Sequence, residues 1–305
     1  MRRVVSPPLR SSSSRTQAGD VGWAKRRRRV PTTLRNRGGH ARLRPAGYGA
    51  LSPPYGSLLS RGITRLVFVL TSVCLLASTL HAAEIPQDER RSGTAFMSRE
   101  TQAMQEDDRA NPGMLAVLDG EALWNQAPAG AKACAGCHGD VATSMKGVAA
   151  RYPAFDKARG RPIDLEQRIN ACRTEHQHAP PLAWESRELL ALTAFVAKQS
   201  RGVAISAGTD ERSRPFVEAG RALFNRRQGQ LDLSCAQCHD DNWGKRLAGS
   251  VVPQAHPTGY PEYRLEWQNI GSLQRRLRSC TFGVRAEPLA FGAPEQVEQI
   301  GRAHV

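Results

Sequence analysis

Cys134-Ala135-Gly136-Cys137-His138 and Cys235-Ala236-Gln237-Cys238-His239 carry the pattern C-x-x-C-H twice in one chain of 305 residues. In that pattern the two thiols form thioethers with the haem vinyl groups, and the adjacent histidine takes one axial position on the iron. The spacing holds both sulfurs and the imidazole on one tight turn against a single porphyrin edge. One chance match is uncommon. Two matches, each preceded by a related helix-like segment, read as a dihaem c-type cytochrome. Cys134, Cys137, Cys235 and Cys238 are the expected covalent attachment points, and His138 and His239 the expected axial ligands.

The surrounding sequence repeats as well. Gly120-Glu121-Ala122-Leu123-Trp124-Asn125 aligns with Gly220-Arg221-Ala222-Leu223-Phe224-Asn225, and Leu165-x-x-Arg168-x-x-x-Cys172 with Leu273-x-x-Arg276-x-x-x-Cys280. Each half therefore reads as a short helix, a haem motif, a loop-rich stretch, and a second helix with Arg and Cys four residues apart. Residues 185–199, with Leu189, Leu192, Phe195 and Val196 on one face and Ser186 as cap, read as an amphipathic helix closing the first half. Alternating strand patterns of useful length are absent. The expected class is all-α: two tandem cytochrome c-like haem domains, 84–205 and 206–299, related by internal duplication. Haem would supply much of the core that domains of this size otherwise build from side chains.

Charge is distributed unevenly. The formal net charge of +15 suggests a polyanion binder, but residues 1–83 hold 15 Lys/Arg against the single acid Asp20, whereas 84–305 hold 28 against 27. The basic excess belongs to the leader, and a nucleic-acid partner is not expected. Residues 1–58, rich in Arg, Ser, Pro and Gly, read as disordered. Arg61 and Arg65, the apolar stretch 66–80, and Ala82-Ala83 then give the order of a secretory signal peptide, placed at 59–83. The apolar stretch is short for a membrane span, so no stable membrane anchor is expected and the folded part is expected in the periplasm. Sixty residues ahead of a signal peptide point to an artefact of start-codon choice, with a genuine basic extension as the alternative.

The other terminus is unusual too. Ile300-Gly301-Arg302-Ala303-His304-Val305 is what a common sequencing-library adapter would encode. On this reading the natural residues stop near Gln299 and continue in a part that is missing here, His304 is no metal ligand, and the helix closing the second half, beginning at Ala293-Pro294-Glu295, is cut short. An apolar face of that half would then lie uncovered.

Cys172 and Cys280 remain after the signal segment and the haem motifs have taken the other five cysteines. In a secreted chain two spare cysteines ordinarily form a disulfide. Against this, they occupy identical repeat positions in two domains, a poor arrangement for meeting. A six-coordinate iron also needs a sixth ligand, commonly Met or His. No methionine follows Cys238, and His256 lies in a turn-prone stretch, so elimination points to Cys280 for the second haem. In the first half Met145, His176 and His178 compete with Cys172. Thiolate ligation is favoured over the disulfide. Thiolate lowers the iron's reduction potential relative to Met, which makes a poor wire and suggests the sulfur is there for its own reactivity.

Two runs are more specific than the haem motifs: Gly259-Tyr260-Pro261-Glu262-Tyr263-Arg264-Leu265-Glu266-Trp267-Gln268, and the stretch from Gly271-Ser272-Leu273 through Arg276 and Ser279-Cys280-Thr281-Phe282-Gly283 to Pro288. With them the chain resembles the SoxA family, the dihaem subunits of the SoxAX cytochromes of bacterial sulfur oxidation, over about 110–299. The resemblance implies an L-cysteine S-thiosulfotransferase that attaches thiosulfate oxidatively to a cysteine of the SoxYZ carrier. It implies two covalent c-type haems, a monohaem SoxX-like subunit as partner, and a c-type cytochrome as electron acceptor. It maps Cys280 to a persulfide-forming catalytic cysteine, Arg276 to an active-site residue, and Cys172 to the thiolate of the first haem. The residues agree with this chemistry. Thiosulfate is a dianion, and Arg276, one helical turn from Cys280, offers paired hydrogen bonds to its sulfonate end. Arg275, Arg278 and Arg285 add positive charge or form only a solvated face. The recurrence of Arg168 leaves open a structural role for Arg276, such as pairing with a haem propionate. The rival readings are a dihaem electron-transfer cytochrome, which predicts Met or His ligation, and a dihaem peroxidase, which predicts peroxide turnover.

Overall fold

Two helix crossings built on glycine organise the chain. The computed structural model describes residues 84–128 and 130–304; the expected leader and signal peptide, and Val305, lie outside the described residues. Helices α1 (Arg99–Glu106) and α2 (Met114–Asn125) lead to α3 (Cys134–His138), the first haem motif, and α4 (Val141–Ser144). Then come α5 (Leu165–Glu175) and α6 (Arg187–Lys198). The second half runs α7 (Arg214–Asn225), α8 (Cys235–His239), α9 (Leu273–Gly283) and α10 (Pro294–Ala303).

Helix α2 crosses α6 at Gly120, where an added Cβ would strike the Ala191 carbonyl oxygen. Helix α7 crosses α10 at Gly220, where a Cβ would strike the Glu298 carbonyl oxygen. The repeated glycine read in the sequence thus has one physical reason in both halves: the two backbones touch, and no side chain fits between them. Around the first crossing, Trp124, Met145, Leu165, Leu192, Phe195 and Val196 form a buried cluster.

Caps set the helix starts. Ser186 accepts from the Leu189 amide at 3.2 Å, Asp164 forms a capping box with Gln167 ahead of α5, and Ser272 caps α9 through the Arg275 amide at 3.0 Å. The helix expected over 185–199 accordingly spans 187–198.

Short hairpins join the motif to the Arg–Cys helix in each half. β1 (Ala154–Asp156) pairs antiparallel with β2 (Arg161–Ile163), and β5 (Glu262–Arg264) pairs with β6 (Asn269–Gly271). A third hairpin joins β3 (Arg246–Leu247) to β4 (Ser250–Val251). Two or three residues are too few to display alternation, so these strands leave no mark in the sequence pattern.

The structure corrects one expectation. The closing helix of the second half is present over Pro294–Ala303, with Val297 and Ile300 buried against α7. Pro294 at the first turn and the apolar pair three residues apart favour the helix, and Gly220 admits it. The face expected to lie uncovered is covered.

The described residues fall in one compact unit, within which the halves meet. Ile270 of β6 packs on Leu190 and Ala194 of α6, Trp184 stacks on Phe291 at 6.2 Å, and Gln274 of α9 donates to Asp164. Among the described residues no helix is long and apolar enough to cross a membrane.

Candidate haem and sulfur site

Each C-x-x-C-H motif is a single helical turn, so its two thiols and imidazole project from one short segment. Ser234 caps the second turn in a reciprocal box with Gln237. In that motif the His239 Nδ1–H donates to the Pro253 carbonyl at 2.7 Å. That bond fixes the tautomer and leaves Nε2 with its lone pair free, as a metal-ligating histidine requires. Burial lowers the His239 pKa, partly opposed by the Pro253 bond, so the ring is held neutral. In the first half the His138 ring lies 5.4 Å from buried Trp124, whose indole Nε1 has no partner. A free imidazole nitrogen, a buried donor awaiting an acceptor and four unbonded motif thiols fit a c-type haem in each half.

The two spare cysteines face their own motifs. Cys172 on α5 lies within electrostatic reach of Cys134 and Cys137, and burial raises its thiol pKa while Arg168 opposes the rise. Cys280 on α9 is the neighbour of Cys235 and Cys238: burial pushes the Cys235 thiol up to about 11, and Cys280 adds to that. All six described cysteines are free, so no disulfide joins Cys172 to Cys280.

The competing ligands fare less well. Met145 is packed in the first core cluster. His176 caps the end of α5, and His178 follows with a left-handed backbone at φ 50°. His256 donates from Nδ1 to the Ala303 carbonyl at 3.0 Å and its buried Nε2 has no partner, so its ring is arranged like that of His239, but its charged neighbours are Arg302, Arg90 and Glu84 rather than the motif thiols. Both ring nitrogens of His304 face backbone carbonyls, those of Tyr152 and Pro257.

Arginines cluster on α9 but differ in what they touch. The Arg275 guanidinium lies 4.4 Å from the Trp267 ring centre, with Glu185 at 3.8 Å. Arg278 sits 4.6 Å from the Phe291 ring centre and donates to the Leu289 carbonyl. Arg285 is a turn residue with φ 57°. The Arg276 side chain makes no hydrogen bond or ion pair with the described residues, and its charge reaches His239. Its repeat counterpart Arg168 is engaged: it donates to Asp156 at 2.6 Å and to the Tyr152 hydroxyl at 3.2 Å. The recurrence that allowed a structural role for both arginines therefore separates them. Arg168 is tied into the first half; Arg276 is left free one turn from Cys280. Sequence reasoning missed the carbonyl of Pro253 and the indole of Trp124. A proline after the motif and the Trp124/Phe224 difference were the only signals available.

Comparison with known proteins finds a matching family and relatives. The SoxA/TsdA cytochrome c domain family matches residues 119–205. The chain is 40% identical over 209 residues to the L-cysteine S-thiosulfotransferase subunit SoxA of Pseudaminobacter salicylatoxidans, covering 68% of this chain and 73% of that protein. It is 38% identical over 212 residues to the protein of the same name from Rhodovulum sulfidophilum, covering 69% and 74%. Among solved structures, SoxXA from P. pantotrophus matches with a TM-score of 0.66 at 30% identity, over 70% of this chain and 82% of that one.

Proposed function

The chain belongs to the SoxA family, and from that premise we propose that it is the SoxA subunit of a periplasmic L-cysteine S-thiosulfotransferase holding two covalent c-type haems. The two halves are read as a tandem duplication, one haem to each. Cys134, Cys137 and His138 with Cys172 would hold the first haem; Cys235, Cys238 and His239 with Cys280 would hold the second. When bound, the haems supply one-electron acceptors.

The reaction joins thiosulfate to a carrier cysteine as a new S–S bond, releasing the thiol proton and two electrons. Arg276 binds the sulfonate end, where its planar fork pairs with two oxygens. That fixes the sulfane sulfur within reach of Cys280, one turn further along α9. The Cys280 sulfur accepts the sulfane end in an oxidative step that releases the two electrons. The carrier thiolate then attacks that sulfane sulfur; the new carrier S–S bond forms as the bond to Cys280 breaks, and the thiosulfonate leaves on the carrier. The observation that carries this reading is the unpartnered Arg276 side chain on one helix with Cys280, both within electrostatic reach of the second haem motif. A monohaem SoxX-like cytochrome as partner, SoxYZ as carrier and a c-type cytochrome as final acceptor complete the scheme.

The test is stoichiometric. The holoprotein with its monohaem partner, given thiosulfate and a single-cysteine carrier, is expected to release two electrons to cytochrome c for each thiosulfonate-bearing carrier formed. Reduction of cytochrome c without change in carrier mass would leave only the electron-transfer reading. Peroxide turnover would favour the peroxidase.

A further inference from the structure

Aligning the two hairpins shows why one arginine is tied and the other free. Tyr152-Pro153-Ala154-Phe155-Asp156-Lys157-Ala158 occupies the same repeat positions as Tyr260-Pro261-Glu262-Tyr263-Arg264-Leu265-Glu266. In the first half, Tyr152 and Asp156 are the two partners of Arg168. In the second half both are diverted. The Tyr260 hydroxyl lies against Glu262, which stands where the first half has Ala154. The Asp156 position is Arg264, a cation that cannot hold Arg276. Arg264 is itself clamped: Nη1 donates to Glu262 at 2.8 Å, Nε donates to Glu266 at 2.8 Å, and its guanidinium lies 5.4 Å from the Trp267 ring centre. Glu266 replaces Ala158. Three substitutions between the repeats thus build a closed ion-pair unit from residues that are absent in the first half.

We propose that Glu262, Arg264 and Glu266 are positioning residues that keep Arg276 unpaired, and so available to the thiosulfate dianion. This rests on the reading of Arg276 as the anion-binding residue. The physical reason is competition for one cation. Glu266 and Tyr260 lie within electrostatic reach of Arg276. With Arg264 present, both glutamates have a guanidinium closer at hand. Without it, Glu262 and Glu266 are left uncompensated, with Glu266 within reach of Arg276; Glu266 would bind the guanidinium, as Asp156 binds Arg168, and both would repel the incoming dianion.

The experiment uses the holoprotein with its monohaem partner and measures thiosulfate affinity by calorimetric titration, alongside KM and kcat with carrier. Arg264→Ala is expected to weaken thiosulfate binding and raise KM about tenfold or more, leaving kcat at saturation within about twofold. Arg264→Lys should retain near-native affinity. Arg264→Ala combined with Glu262→Ala and Glu266→Ala should recover most of the lost affinity, because no carboxylate remains to capture Arg276. A triple variant no better than the single one, or an Arg264→Ala protein with unchanged affinity, overturns the proposal. If Arg264→Ala does not accumulate as holoprotein, Arg264→Gln carries the same expectation. Arg276→Ala separates the two levels. Unchanged thiosulfate affinity in that variant removes the underlying reading of the site. Weakened affinity there, with intact affinity in the Arg264 series, removes only the role of the clamp.

Discussion

Replacing Cys280 with Ala is expected to reduce carrier-dependent thiosulfate turnover by about 10³-fold or more, the scale on which removing a covalent nucleophile acts. Helix α9 should persist, because its start is fixed by Ser272 and its buried contact to the first half by Gln274, neither of which involves the sulfur. Covalent haem attachment should persist too, because the thioethers depend on Cys134, Cys137, Cys235 and Cys238. Haem content per chain, measured after denaturation, is therefore expected to match the native protein while transfer is lost. Cys172→Ala is the internal control. It sits at the same repeat position, yet its neighbouring arginine is already bonded to Asp156 and Tyr152 and cannot take an anion without breaking both contacts. Turnover that survives Cys280→Ala would refute the role assigned to that sulfur.

Much of the frame was legible because it repeats. The glycines at 120 and 220, the haem motifs, and the Arg–Cys spacing each occur twice, and each recurrence reflects one demand: a close helix crossing, a ligand turn, a cysteine facing that turn. The hairpins between motif and helix were not legible, since strands of two or three residues carry no period. The closing helix of the second half forms over Pro294–Ala303 whatever the origin of its last turn. Helix formation and packing there depend only on where Val297, Ile300 and Gly220 fall. The state of the arginines was the least legible. Arg168 and Arg276 look alike in a repeat alignment, which registers only what the halves share. What distinguishes them is a set of differences one element away, in residues 262–266 against 154–158, whose meaning emerges only when their partners are known.

Arg276→Lys is expected to raise the KM for thiosulfate roughly ten- to hundred-fold, the loss of one charge-assisted hydrogen bond of about 1.5–3 kcal/mol. Lysine keeps the charge but offers a point rather than a planar fork, so it cannot hold two sulfonate oxygens in a fixed orientation. Orientation matters here beyond affinity, because the sulfane sulfur must point to Cys280; kcat is therefore expected to fall as well. Arg276→Ala should be worse on both counts. Steady-state kinetics at varied thiosulfate and saturating carrier separate the two parameters. Stability is a discriminating control: the Arg276 side chain makes no hydrogen bond or ion pair with the described residues, so its replacement should leave the thermal midpoint almost unmoved. Arg168→Ala, which leaves the buried Asp156 carboxylate with Arg159 alone and the Tyr152 hydroxyl without its donor, should lower it. A thermal loss in the Arg276 variant equal to that of Arg168→Ala would mean a structural role for both.

The central claim is that an inorganic sulfur atom is handed on at Cys280, and mass spectrometry tests it most directly. Trypsin should release residues 279–285, bounded by Arg278 and Arg285, with Cys280 as the only cysteine. Protein purified without reductant and exposed to thiosulfate is expected to give this peptide with added sulfur, removable by a thiol, while the Cys172 peptide stays unmodified. A Cys280 peptide of unmodified mass under turnover, with carrier still being loaded, would contradict the account.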